Sequence, residues 1–243
     1  MAKQQFKLHN FSKLSSFLKK FSVIDNSLLL EIEADRLLAK THTPDKSVVK
    51  VASILLTDLF DFSSVVEGKV GFYAINNFVK SFDSFDDEQI NLEIDLEKVG
   101  GESTGTEIRA ISKNLKLKFP CASPKIFKYI GADIIDKIKN AEPEIISFRI
   151  QKDLFSKLSS LMSIDKESET ISIVSRGGSV FFKGDLYEYE LPGVSVNDDT
   201  EISLYKVNFA LIDREDSEII VADSRIFVNS LESDTSIIIG KVS

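Results

Sequence analysis

Phe11-Ser12-Lys13-Leu14-Ser15-Ser16 recurs residue for residue as Phe155-Ser156-Lys157-Leu158-Ser159-Ser160. Each copy follows a short apolar-basic-apolar run, Phe6-Lys7-Leu8 in the first half and Phe148-Arg149-Ile150 in the second, so the duplicated unit reads as a strand leading into a helix. A repeat on this scale sets the architecture before any site is considered, and it divides the chain into two similar halves. The helix predicted around the first copy carries Phe11, Leu14, Phe17, Leu18 and Phe21 on one stripe at helical spacing. Ser12, Lys13, Ser16, Lys19 and Lys20 fall on the opposite face, and no acidic residue occurs between Met1 and Ile24.

Outward from the repeat, apolar runs with Asp, Pro or Gly punctuation read as strands at Ser27 to Glu33, Arg36 to Thr41, Val48 to Leu56 and Lys69 to Ile75. Asp58-Leu59-Phe60-Asp61-Phe62 closes the first group, and Asn76-Asn77 opens a second helix holding Phe78, Phe82 and Phe85, with Lys80 off the stripe. The acidic run Asp83, Asp86, Asp87, Glu88 reads as a solvated turn, and Glu102 to Thr106 as a hairpin loop between strands. The first domain is expected at 1–119. Residues 120–143, with three prolines and a Lys/Ile-rich stretch, read as a connector with a short helix at Asp133 to Asn140; its aromatics serve either a local core or a partner surface. The second domain, 144–243, repeats the programme. Its first helix carries Leu154, Leu158, Leu161 and Met162 on one face, and Leu204-Tyr205-Lys206-Val207-Asn208 echoes Phe72-Tyr73-Ala74-Ile75-Asn76. Phe209, Ile212 and Arg214 are expected on the short helix that follows.

The composition, 43% hydrophobic and 28% charged over 243 residues, is that of an ordinary globular α+β chain of two domains. One cysteine, Cys121, excludes an intrachain disulfide and fits a reducing compartment. No apolar run approaches the roughly 18 residues of a membrane span. The N-terminus lacks a signal-peptide apolar core, so cytoplasm is the expectation, with no membrane partner. A net charge of −8 argues against an acidic partner unless the basic residues are segregated, which the first helix face suggests. Two isolated histidines, His9 and His42, assemble no metal site or nucleophile-base pair, and Gly101-Glu102-Ser103-Thr104-Gly105-Thr106 lacks the lysine of a phosphate loop. Neither an enzyme nor a cofactor is expected.

The order strand, basic Ser/Lys helix, three strands ending Asp58-Leu59-Phe60-Asp61-Phe62, then strand and Ile75-Asn76-Asn77-Phe78-Val79, resembles the DNA polymerase sliding clamps of tailed phages. So do the connector Phe119-Pro120-Cys121-Ala122-Ser123-Pro124 and the restart at Glu144. The Lys125 to Asn140 stretch is a departure from that pattern. The resemblance implies duplicated clamp domains, antiparallel sheets outside and two helices per domain inside, closing a ring around duplex DNA. Two domains per chain imply a homotrimer. Its implied partners are double-stranded DNA without sequence preference, a replicative DNA polymerase and an ATP-driven clamp loader, in a host cytoplasm if viral. Implied DNA contacts are Lys13, Lys19, Lys20, Lys80, Lys152, Lys157 and Arg214. Partner peptides are implied near His42, Pro44, Ile126, Tyr129, Ile239 and Val242. Ring closure is implied through edge strands, Leu115, Leu117 and Phe119 of one chain against Val180, Phe181 and Phe182 of the next. Composition alone leaves open a β-rich oligomeric phage structural protein, such as a tail or baseplate component, or a single-stranded DNA-binding module. The first would not need lysines on matching helix faces. The second would expose aromatics in a basic groove.

Overall fold

Apolar stripes and alternating strands build two compact units in the computed structural model. It describes residues 2–85, 89–130, 137, 138 and 140–242, and the side chains of all of these except 128–130. The first unit comprises Met1–Thr41 and Val51–Gly131, the second His42–Lys50 and Ala132–Ser243.

In the first unit, β1 (Ala2–Leu8) enters α1 (Phe11–Ser22). Then follow β2 (Leu28–Ile32), β3 (Arg36–His42), β4 (Val48–Leu55, begun in the second unit), β5 (Phe60–Asp61), β6 (Gly68–Phe72), α2 (Ile75–Ser81), β7 (Ile90–Val99), β8 (Glu102–Ile111) and β9 (Lys116–Pro120). The sheet runs β3-β2-β6-β8-β7-β1-β5, with β9 also on β8. Its inner face shows the alternation expected of a half-buried sheet: Gln4, Phe6 and Leu8 of β1 are buried between exposed neighbours. α1 lays Leu14, Phe17, Leu18 and Phe21 on that face, each worth roughly 1.5–3 kcal/mol on removal from water.

In the second unit, β10 (Ile146–Ile150), α3 (Lys152–Ile164), β11 (Thr170–Arg176), β12 (Ser179–Lys183) and β13 (Glu188–Glu190) are followed by β14 (Thr200–Tyr205), α4 (Lys206–Phe209), β15 (Ser217–Val221), β16 (Arg225–Ser230) and β17 (Thr235–Gly240). The same strand-helix-three-strand module thus occurs twice. Its two sheets run β10-β15-β16-β17 and β13-β12-β11-β14. The repeated phenylalanine packs toward the second helix in both units: Phe11 stacks at 4.9 Å on Phe82, which with Phe85 lies beyond α2 rather than on it as expected, and Phe155 meets Phe209 of α4 at 6.3 Å.

Several expectations shift. Residues 42–50 group with the second unit, where the Asn208 amide donates to Ser47 Oγ at 3.0 Å, Gly240 N donates to the Ser47 carbonyl at 2.8 Å, and Lys50 Nζ lies 2.6 Å from Asp213. The expected loop at Glu102 to Thr106 is strand. The turn lies at Gly100-Gly101, where φ of 63° and 92° suits glycine and closes the β7-β8 hairpin in two residues. α2 starts at Ile75 because Asn26 caps it from a distance, its carbonyl accepting from Ile75 N and its Oδ1 from Asn76 N, both at 2.9 Å. α4 ends at Phe209, so Ile212 and Arg214 lie beyond it. The expected turn at Asp86, Asp87 and Glu88, and most of the expected helix Asp133 to Asn140, lie outside the described residues. No helix among the described residues is long and apolar enough to cross a membrane.

Candidate functional site

The entry to α1 is built by the stretch that closes the first strand group. Leu59 offers its carbonyl to the amides of His9 and Asn10, Asp61 and Phe60 pair with Lys7 and Leu8, and Asn10 caps the helix by accepting from Lys13 N at 3.1 Å. Asp58, from the same stretch, holds the Lys13 ammonium at 2.8 Å. Ser12, Lys13, Ser16 and Lys19 are exposed and Lys20 is half-buried. Lys19 and Lys20 occupy the last turn of α1 and Lys80 the last turn of α2, where the helix dipole also favours a cation. With α1 and α2 side by side, the first unit gathers Lys13, Lys19, Lys20 and Lys80 on its helices.

The second unit presents a thinner set. Lys152 and Lys157 are exposed on α3, but Asp153 shares the first turn, and Lys157 Nζ sits 4.1 Å from the Tyr189 ring centroid. Arg214 is exposed, off the helix. Lys206, at the start of α4, is committed inward: its ammonium lies 3.2 Å from Asp165 Oδ2 and also donates to the Asp165 carbonyl. Burial pushes the Asp165 carboxyl up, but the Asp185 amide and Lys206 outweigh it and hold the group below its ordinary value.

Serine hydroxyls on these faces turn back onto their own helices. Ser159 donates to Phe155 O, Ser160 to Ser156 O, Ser163 to Ser160 O and Ser22 to Lys19 O. On α3 the hydroxyls of Ser159 and Ser160, next to Lys157, are therefore satisfied within the helix.

The expected partner residues fall in both units. Ile126 is exposed in a 3-10 segment, Pro124–Ile130, of the first unit, and the side chain of Tyr129 lies outside the described set. In the second unit Pro44 is exposed, His42 and Val242 are half-buried, and His42 Nδ1 is 2.7 Å from the Thr43 carbonyl. Ile239 is fully buried in β17, so it supports a surface without forming one.

The expected ring-closing edges need one correction. β9 is an edge: it pairs only with β8 among the described residues, and Leu117 and Phe119 are half-buried on one face. Leu115 lies in the turn before it. β12 is not an edge. It pairs with β11 on one side and β13 on the other, and Val180 and Phe182 are fully buried, with only Phe181 partly open. A free edge of that sheet is the three-residue β13, which falls inside the strand expected at Tyr187 to Leu191.

No protein-family model and no curated protein sequence matches the chain. Solved structures do. The DNA polymerase III beta subunit of Pseudomonas aeruginosa superposes with a TM-score of 0.71 at 10% identity over 100% of this chain. A chain of the PCNA2-PCNA3 complex of Sulfolobus tokodaii gives 0.67 at 14% identity over 98% of both chains. The Helicobacter pylori beta clamp bound to a DNA ligase peptide gives 0.69 at 12% identity over 99% of this chain. The chain spans 65% of the length of the Pseudomonas subunit. Its fold is that of the DNA polymerase sliding clamps, a duplicated α+β clamp architecture covering the whole chain.

Proposed function

We propose that this chain is a DNA sliding clamp, a ring that encircles duplex DNA and tethers a replicative polymerase for processive synthesis. The observation that carries the reading is the match of the sliding-clamp fold over the full chain together with lysines on the outer faces of its helices. The near-equal length with the PCNA chain supports a two-domain protomer, and the homotrimer belongs to the same reading. The tailed-phage subtype and an ATP-driven loader belong to the same reading. A tail or baseplate role is not favoured, since it gives no account of the full-length clamp match. The chain's work in this reading is topological tethering, with no bond made or broken, so weak sequence-independent phosphate contact suffices.

Lys13, Lys19, Lys20, Lys80, Lys152 and Lys157 are the proposed contacts, Lys13 after exchanging Asp58 for phosphate. Arg214 is kept with them as an exposed cation beyond α4. Client peptides are assigned to the Ile126 and Tyr129 segment of the first unit and to His42, Pro44 and Val242 of the second. The test is primer extension on circular and linear templates with a loader and ATP. Products should lengthen on the circle and not on the linear template with free ends. Equal product lengths with and without the chain would refute the clamp reading.

A further inference from the structure

The two units carry the same three-strand row on a sheet face turned away from the core, and they treat it differently. In the first unit Gly71 of β6 stands in register with Leu29 of β2, and Leu29 with Lys40 of β3. Their neighbours Leu28, Leu30, Val70 and Phe72 point into the core, so this row lies on the opposite face. In the second unit Ser203 of β14 stands in register with Ser172 of β11, and Ser172 with Lys183 of β12. The rows correspond, because Gly71 precedes Phe72-Tyr73 as Ser203 precedes Leu204-Tyr205. Each also accepts at its carbonyl from the residue two past its unit's last strand, Ala122 N at 2.7 Å and Val242 N at 2.9 Å. In the first unit the row is buried, with the Lys40 ammonium 2.8 Å from Glu31. In the second it is open: Ser172 and Ser203 are half-buried with their hydroxyls 2.8 Å apart, and Lys183 is exposed.

The cover over Gly71 is the chain's own. Ala122 and Phe127 are buried against it, and a Cβ on Gly71 would lie 2.6 Å from the Ala122 carbonyl oxygen and 2.8 Å from Phe127 Cε2. The ring therefore needs a residue without a side chain beneath it. Phe127 sits at the kink of the 3-10 segment Pro124–Ile130, with φ of −94° and ψ of 20°. From Ser123 to Ile126 no side chain is buried: Ser123, Lys125 and Ile126 are exposed and Pro124 is half-buried. A segment held by one aromatic ring, in a helix type with poor hydrogen-bond geometry, is attached more weakly than the sheet beneath it.

We propose that residues 122–130 form a releasable latch on the first unit, in which Phe127 fills an aromatic niche over Gly71 and leaves it without disturbing the sheet below. The second unit lacks the niche, since Ser203 brings a Cβ and a hydroxyl to the place of Gly71 and Ser172 replaces the apolar Leu29. Its row is built to meet water, and the row of the first unit is built to be covered. Ile126, exposed beside the anchor, is carried by the latch, so Phe127 sets where that side chain is presented to a client peptide; this consequence alone rests on the clamp reading.

Amide hydrogen exchange of the full chain tests the latch. Phe127→Ala should speed exchange at the Ala122 and Ile126 amides by roughly tenfold or more, the scale of losing one buried aromatic ring. The amides of β1, β2 and β7 should keep their protection. Phe127→Leu, which retains an apolar anchor, should fall between the wild type and Phe127→Ala. Gly71→Ser, which installs the residue of the second unit, should release the same amides, and trypsin cleavage after Lys125 should quicken in step. Unchanged exchange at Ala122 and Ile126 in Phe127→Ala overturns the latch, because the ring is then no anchor. A rise shared equally by β1 and β7 also overturns it, because Phe127 is then part of the common core. Neither result touches the clamp reading, which primer extension decides.

Discussion

The basic helix face makes a quantitative demand on salt dependence. Each lysine that neutralises a duplex phosphate contributes about 0.9 to the slope of log affinity against log salt, or about 0.4 log units for a threefold rise in salt. Lys19→Gln with Lys80→Gln removes two exposed cations from the first unit, neither of them in a salt bridge among the described residues. For each chain engaged with DNA the slope should therefore fall in magnitude by about 1.8. Lys13 should behave differently, because its ammonium already holds Asp58 at 2.8 Å and must give up that bond to reach a phosphate. Asp58→Asn frees it, so this variant should bind more tightly and steepen the slope by up to about 0.9. Opposite signs from neighbouring positions separate direct phosphate contact from a general effect of net charge. Fluorescence anisotropy on a short duplex, between about 50 and about 200 mM salt, supplies the slopes. An unchanged slope for the Lys19/Lys80 variant, with its melting curve intact, would refute the assignment of this face to DNA.

Other consequences concern the scaffold. Lys50→Met should cost about 3 kcal/mol in urea denaturation, since Lys50 is fully buried and its removal leaves Asp213, itself only slightly exposed, without its ammonium. Gly71→Ala should cost about 1–3 kcal/mol, because a Cβ there would lie 2.6 Å from the Ala122 carbonyl and 2.8 Å from the Phe127 ring; released protease sites near Pro124 would mark local undocking. Glu93 is held below its usual value first by its hydrogen bond to Lys3 and then by Arg109, against the opposing push of burial. Its contribution to stability should be complete well above the ordinary glutamate value of 4.5 and should fade as the pH drops through the lowered native value, and Glu93→Gln should flatten that acid limb of the denaturation midpoint. Cys121 is pushed up to about 12 by burial, with Glu107 and Asp95 adding to it, so the folded protein should resist iodoacetamide at pH 8 and react once denatured.

What the sequence disclosed and what it withheld divide along a physical line. The stripe of α1 was legible because helical periodicity is written in contiguous residues, and Leu14, Phe17, Leu18 and Phe21 are buried as it implies; on α3 the expected stripe of Leu154, Leu158, Leu161 and Met162 is only half right, since Phe155 and Leu158 are the buried pair and the other three are half-buried. Gly100-Gly101 was legible in principle as a two-residue hairpin, but the Ser/Thr-rich run beside it resembles a loop more strongly than a strand. The remote features left no local trace. Asn26 caps α2 from 50 residues away, and residues 42–50 join the second unit through Asn208, Asp213 and Gly240. The edge status of β13 is of the same kind: the strand at Tyr187 to Leu191 is readable from its sequence, but its one-sided pairing with β12 is not. For that reason two of the interface residues carried over from the resemblance, Val180 and Phe182, proved to be core.

The proposed sliding role would set a condition on the helix faces that a tight DNA-binding protein would not meet. A surface that forms many good phosphate bonds holds one register on the duplex, and each step along the helix must then break them together. Here Lys13 is shared with Asp58, Lys157 rests on Tyr189, and Lys206 is withdrawn to Asp165. On α3 the hydroxyls of Ser159, Ser160 and Ser163 are satisfied by their own helix carbonyls, so they offer little to a passing phosphate. Lys19, Lys80 and Lys152 are long side chains at helix ends, which in the proposed role would trade one phosphate for the next without a large barrier. Replacing these lysines with arginines tests the point. Bidentate guanidinium contacts should raise equilibrium affinity for duplex while slowing one-dimensional diffusion along it, as read by single-molecule tracking. Faster or unchanged diffusion at higher affinity would show that the lysine face is not what limits movement on DNA.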